Sequence, residues 1–289
     1  MKKRIPIVGV ALQKGGVGKT TSSVFMCQYS AIVLNLRTAL IDTDKQAGAS
    51  GRHLDITKNP ITDLKQPPLH PHFDPNNANG WNGRSSIADI FFGTPVLPYP
   101  TRYSNLHVFP ADEARLATAE NVKRQEMADK VYSQLHNFLS LEEVQDAYDV
   151  IVIDTPPDKH SPLLISALKA MTHLVIPLEM ELQAIEGLAG ILQLWKQESL
   201  SRPSDRPLNL VGILPNKVHS RRGSDKSLLN QLRNDPQVSG YVMPLEIVDR
   251  NSFPEADLAN KSIFEFPKND EARIEATSAC KYIFERVFA

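Results

Sequence analysis

Residues 13 to 21 read QKGGVGKTT and stand between an apolar run and a segment of helical periodicity. Gly15, Gly16 and Gly18 let a backbone turn tightly and aim its N–H groups inward, and a helix starting just beyond adds the positive end of its dipole. Such a loop selects a polyphosphate. Lys19 is placed to reach the β- and γ-phosphates, and the Thr20 hydroxyl to ligate Mg2+. A dinucleotide loop is disfavoured, because its spacing calls for glycine at position 21, where Thr21 stands.

A phosphate loop also needs carboxylates to hold a metal ion and a group to orient water. The segment TALIDTDKQAG puts Asp42 at the end of a short apolar run and Asp44 just beyond it, and YDVIVIDTPPD ends four consecutive apolar residues in Asp154. A lone aspartate is more often a turn or cap residue. Three of them at the ends of two strands that follow a phosphate loop have another use, since ligands bind at the carboxyl ends of parallel strands.

The elements that must position these residues follow from periodicity. Short apolar runs alternate with longer helix-period segments, the pattern of a mostly parallel twisted sheet with helices on both faces. Strands are predicted at Ile5 to Leu12, Thr38 to Asp42, Leu106 to Phe109, Val150 to Asp154, His173 to Pro177, Leu208 to Leu214 and Tyr241 to Met243. Helices are predicted at Lys19 to Leu34, Ser86 to Phe92, Asp112 to Leu139, Ser161 to Ala170, Leu182 to Glu198, Ser224 to Asn234 and Asp270 to Phe288. Between His53 and Pro110 the chain holds nine of its 21 prolines and the polar run HPHFDPNNANGWNG, so this excursion is expected to be irregular apart from one short helix. His70, His72 and Asp74 lie in it, and a solvated loop is preferred to a metal site there because no further ligands follow at zinc-like spacing.

With 289 residues, 42% of them hydrophobic, the chain can bury a substantial core, and one domain over 1–289 is expected. A formal net charge of −1 supplies no global field toward nucleic acid, so any DNA affinity must come from a local patch. Cys27 and Cys280 have no partner spacing for a metal or a disulfide framework, which fits a reducing cytosol. The basic residues and short apolar run at the N-terminus lead straight into the glycine loop and read as a first strand, and no stretch approaches the ~18 apolar residues that span a bilayer.

KGGVGKT resembles the deviant Walker A motif of the ParA/MinD family, with Gln13 where the general pattern has glycine and the additional lysine Lys14 beside it. The resemblance implies a single-domain P-loop NTPase fold, ATP and Mg2+ as cofactors, and a nucleotide-sandwich homodimer in which Lys14 reaches the nucleotide of the partner subunit. It casts Lys14, Gly15, Gly16, Val17, Gly18, Lys19, Thr20 and Thr21 as the nucleotide loop, and Thr20, Asp42 and Asp154 as the metal set. Asp44 would polarise the attacking water, Gln46 would be a switch residue, and Thr155, Pro156 and Pro157 resemble the second switch.

The likeness extends to most of the chain outside the excursion. Asn216, closing LVGILPNKV, resembles the family's adenine-reading asparagine, and Pro244 falls near the base by a looser match. Gly187 resembles the start of a long helix at the dimer surface. Lys217, Arg221, Arg222, Lys226 and Arg250 lie in the half where ParA relatives bind DNA without sequence preference, through phosphate contacts of the salt-dependent kind. Only 12 residues precede Gln13, so the resemblance is to ParA-type ATPases that lack an N-terminal helix-turn-helix domain. The last helix invites comparison with the membrane-targeting tail of MinD. Its apolar face of Ala276, Ala279, Cys280, Ile283, Phe284 and Val287, without a dense basic face, favours packing on the sheet.

The expected function is a cytoplasmic, nucleoid-associated partition ATPase that positions a plasmid, chromosome or other cargo with a ParB-like adaptor. The rivals are a MinD-like ATPase docked on lipid and a metabolic enzyme on the same scaffold. An iron–sulfur relative is disfavoured, because Cys27 falls inside the first predicted helix.

Overall fold

The structure is a computed structural model that describes residues 4–121, 125–158, 160–219, 221–268 and 270–289. Its centre is a seven-stranded sheet. In chain order the strands are β1 (Ile7–Val10), β2 (Thr38–Asp42), β3 (Thr57–Lys58), β4 (Lys65–Gln66), β5 (Tyr99–Pro100), β6 (Leu106–Phe109), β7 (Val150–Asp154), β8 (His173–Glu179) and β9 (Asn209–Asn216). The sheet order is β5-β6-β2-β7-β1-β8-β9, while β3 and β4 form a separate antiparallel hairpin. Every pairing in the large sheet is parallel except that of the edge strand β5 with β6.

Burial on both faces explains the continuous apolar runs. Along β7, Ile151 and Ile153 face one core layer while Val150 and Val152 face the other, the period of two that a strand imposes. The helices are α1 (Lys19–Gln28), α2 (Glu113–Glu120), α3 (Gln125–Leu139), α4 (Glu142–Ala147), α5 (Pro162–Ala170), α6 (Leu182–Ser201), α7 (Gly223–Asn234), α8 (Ser252–Leu258) and α9 (Glu271–Val287). Residues of α2, α3, α5 and α6 pack in the first layer, and those of α1 and α9 in the second. Gly9 in β1 is needed for this packing, because a Cβ there would lie 2.0 Å from the Met171 side chain at the end of α5.

Several expectations are corrected. The 112–139 span holds two helices, α2 and α3, with residues 122–124 outside the described set. The first helix keeps its α form only to Gln28 and widens into a π turn over Tyr29–Val33, where the Leu34 N–H donates to the Tyr29 carbonyl. Residues 241 to 243 form no strand of the sheet. Val242 makes a single parallel bridge to Ile213, and the polar, glycine-containing lead-in turns as a 3-10 helix over Ser239–Tyr241. The sequence reading missed α4, α8, the β3/β4 hairpin and β5, all short elements whose apolar periodicity is too brief to register.

The excursion is packed more tightly than its composition suggests. Ser86 and Asp89 form a capping box on a 3-10 turn, Ile87–Phe92, that buries Ile87, Ala88 and Ile90. His70 is buried and not solvated. Its Nδ1 accepts from the His72 N–H at 3.1 Å, Nε2 lies 3.2 Å from the Pro98 carbonyl, and its ring packs on Tyr99 and Trp81. Burial lowers its pKa against the opposing effect of the Pro98 carbonyl, which suits a packing role. At the other end of the chain, the apolar face of α9 is buried from Ala276 to Val287, and Phe284 stacks on Tyr29 at 5.9 Å. Among the described residues no helix is long and apolar enough to cross a membrane.

Candidate functional site

The loop between β1 and α1 opens at the carboxyl end of the sheet. Gly16 and Gly18 have φ of 82° and 88°, conformations in which a side chain would be strained, and Gly18 is the N-cap of α1. A Cβ at Gly15 or Gly16 would meet no atom within 4 Å, so the loop faces open space on that side. Lys19, the first helical residue, is buried, and its Nζ donates to the Lys14 carbonyl at 2.6 Å across the loop. Burial lowers its pKa, and Asp154 and Asp44 act against that shift. The ammonium is thus aimed into the loop among carboxylates, as a phosphate-binding lysine requires.

The two acidic strand ends meet here because β2 and β7 are neighbours in register, Asp42 opposite Asp154. The Asp154 carboxylate accepts from the Thr20 hydroxyl at 2.8 Å and the Ser23 hydroxyl at 3.0 Å. Asp42 accepts from the Ser50 N–H at 2.8 Å and the Ser50 hydroxyl at 2.7 Å. Both acids are fully buried, and burial raises the pKa of each, with the charge of Asp154 adding to the effect on Asp42. Burial of two acids at neighbouring strand ends disfavours charge on both at once, a penalty that a nearby cation would relieve. Asp44 lies further out, half-buried, accepting from the Gln46 N–H at 2.9 Å, and burial raises its pKa as well.

This donor set fits ATP with Mg2+. Thr20 gives its hydroxyl hydrogen to Asp154 and keeps its lone pairs for a metal. Mg2+ binds one or two protein oxygens and completes its shell with water and phosphate, so no large cage is needed. Among the described residues, no group of three or more His, Cys, Asp or Glu side chains is placed to hold a metal.

Around this centre the structure sorts the remaining sequence candidates. Lys14 stands at the rim, its Nζ in an ion pair with Glu181 of the same chain. Asn216 is buried and its amide donates to the Val17 carbonyl at 2.8 Å, and the Lys217 ammonium donates to the Gly16 carbonyl at 2.6 Å. Lys217 is therefore drawn to the phosphate loop and does not belong to an open basic face. Pro244 is exposed. Arg221, Arg222 and Lys226 are exposed at the start of α7. Arg250 is no part of a free basic surface: its guanidinium pairs with Glu271 and donates to Glu275 at 2.7 and 3.1 Å. Gly187 does not begin a helix. It lies in the second turn of α6, where a Cβ would sit 3.2 Å from the Gln13 carbonyl, and Gly190 makes room for the Gln13 side chain.

Sequence reasoning missed Ser23, Ser50 and Glu181. Ser23 could have been found, since it lies three residues after Thr20 on the same helix face. Ser50 and Glu181 carry no local signal, because their partners are brought to them by the fold.

The model of the AAA domain family matches residues 5–202. The chromosome-partitioning ATPase Soj of Thermus thermophilus is 27% identical over 239 residues, covering 81% of this chain and 78% of that protein. Among solved structures, the ATP complex of a McdA variant from Cyanothece superposes with a TM-score of 0.75 at 16% identity, over 98% of this chain and 97% of that one. Cobyrinic acid a,c-diamide synthase from Mycobacterium smegmatis, with bound ADP and magnesium, superposes with a TM-score of 0.68 at 20% identity, over 99% and 96% of the two chains. The likeness to these two structures is one of fold. Together with the glycine loop, its buried lysine and the paired strand-end acids, the family match establishes that the chain belongs to the ParA/MinD-type family of P-loop ATPases.

Proposed function

We propose that this ParA-type ATPase is a partition ATPase: ATP joins two copies through Lys14, the dimer binds DNA without sequence preference, and a ParB-like adaptor on the cargo stimulates hydrolysis and release. The cargo is a plasmid, a chromosome or another large assembly, and the protein works in the cytoplasm on the nucleoid. Within the site, Lys19 grips the terminal phosphates, while Thr20, Asp42 and Asp154 hold the metal and its water shell. Mg2+, when bound, screens charge on the phosphates. Asp44 orients the attacking water, and Asn216 and Pro244 border the adenine.

The observation that carries this reading is the division of labour between the two lysines. Lys19 already fills the interior of its own loop, whereas the Lys14 ammonium is turned away from it to Glu181 at the rim. An amine so placed supports a role toward a second chain. DNA contact is assigned to Arg221, Arg222 and Lys226, which are exposed together.

The deciding experiment is DNA binding measured with ATP, with ADP and without nucleotide across a salt series. Binding that needs ATP and falls steeply with salt is expected. ATP-dependent pelleting with anionic liposomes in its place would favour a lipid-docked ATPase. The fold shared with a synthase keeps a metabolic role in view, and turnover that depends on a small acceptor would support it.

A further inference from the structure

We infer that Glu120, the last residue of α2, is a positioning residue that yokes the Asp44 loop to the loop after β7, so that the two move as one when the terminal phosphate changes. The inference rests on the ATPase reading of the site. One carboxylate oxygen lies 3.1 Å from the Lys45 ammonium, next in sequence to Asp44. The other accepts from the Ser161 hydroxyl at 2.6 Å. Ser161 is the N-cap of α5 and closes the segment that begins at Thr155. Each oxygen of one side chain therefore holds one of the two loops.

The geometry makes this more than a surface ion pair. The loops leave the sheet from adjacent strands, at Asp42 and Asp154, and close to the sheet they are joined by the Thr43 hydroxyl, which donates to the Asp154 carbonyl at 2.7 Å. Glu120 supplies a second tie further from the sheet, and two ties at different heights resist rotation of one loop against the other. The Glu120 side chain is 16% exposed against 46% for Lys45, so the carboxylate is the sheltered member of the pair. Its helix is anchored, with Leu116 and Ala119 buried and Asp112 accepting from the Arg115 N–H. Lys65 of the excursion reaches the same two elements. Its ammonium donates to the Gln46 carbonyl at 2.7 Å and its N–H donates to Glu113 at 2.9 Å. The proline-rich excursion and α2 thus form a brace along the Asp44 loop.

The test uses the full chain under saturating Mg-ATP. Glu120→Ala is expected to lower kcat about tenfold or more through misplacement of the reacting groups, while the Kd for ATP changes by less than about threefold. Glu120→Gln, which keeps the shape and the acceptor for Ser161, is expected to recover part of the loss and covers the case in which the alanine variant does not fold. Lys45→Met is expected to lower kcat in the parent protein and to add nothing in the Glu120→Ala background, since the two changes remove one interaction. An unchanged kcat in the folded Glu120 variants, or an equal effect of Lys45→Met in both backgrounds, would overturn the inference alone. Absence of Mg-ATP turnover by the parent protein would overturn the ATPase reading and the inference with it.

Discussion

Lys14 and Glu181 of one chain form an ion pair at the mouth of the phosphate loop, so the lysine proposed to act on a second chain is held at home when no partner is present. Glu181 immediately precedes α6, and Arg222 adds to the positive potential around it. The Lys14 ammonium beside it lowers the pKa of Glu181 from its ordinary value. Leaving this contact is a cost that dimerisation must offset. Glu181→Gln is therefore expected to give an ATP-dependent dimer at severalfold lower protein concentration, checked by light scattering across a dilution series.

Asp154 accepts from both Thr20 and Ser23 and faces Asp42 across the sheet. Asp154→Ala removes the acceptor that orients the Thr20 hydroxyl, and turnover is expected to fall at least ~100-fold, the scale of a lost electrostatic element in a dry site. Phosphate release measured with excess Mg2+ checks it, and chelating Mg2+ from the parent protein should have a comparable effect.

Asp44 lies outside the buried acid pair and is the group proposed to orient the attacking water. Asp44→Ala is expected to keep ATP binding and to lose turnover by about 100-fold or more, the usual contribution of a positioned acid or base. Equilibrium nucleotide binding and single-turnover hydrolysis separate the two effects.

The ion pairs of Arg250 separate it from the exposed Arg221, Arg222 and Lys226. Replacing those three by glutamine is expected to weaken DNA binding at low salt and to flatten its salt dependence, because each phosphate contact contributes to the slope. Arg250→Gln is expected to leave DNA affinity unchanged and to lower the melting temperature. Fluorescence anisotropy with a short duplex and a thermal melt distinguish the two outcomes.

His53 and His173 carry an acid liability. Burial lowers the pKa of each to about 4 from an ordinary 6.5, with Arg102 and Arg52 adding to the effect at His53. The unfolded chain protonates them below about pH 6.5 while the folded chain does not until about pH 4, so their contribution to stability is present above 6.5 and is lost as pH falls through that window. By pH 5 each costs roughly 2 kcal/mol. His53→Gln is expected to melt with a shallower dependence on pH between 7 and 5 than the parent protein.

The fold was legible where periodicity is long or burial continuous. β2, β6 and β7 appear with their predicted bounds because their apolar residues are buried in the sheet, uninterrupted in β7 from Val150 to Ile153 and broken in β6 only by His107. The phosphate loop was legible because glycine and lysine at fixed spacing have few other uses. The contacts that complete the site were not, since Glu181, Ser50 and Glu120 reach their partners only through tertiary packing. Composition misled at His70, where a proline-rich polar run conceals a packed aromatic cluster. The family resemblance misled at Arg250, whose charge is matched by glutamates more than 20 residues away.

The most direct test of the two-chain role of Lys14 is the mass in solution of the Asp44→Ala protein with Mg-ATP, compared with the same protein also carrying Lys14→Ala. A doubled mass that reverts to that of one chain in the double variant is the result expected. Dimers of equal stability in both proteins would contradict it.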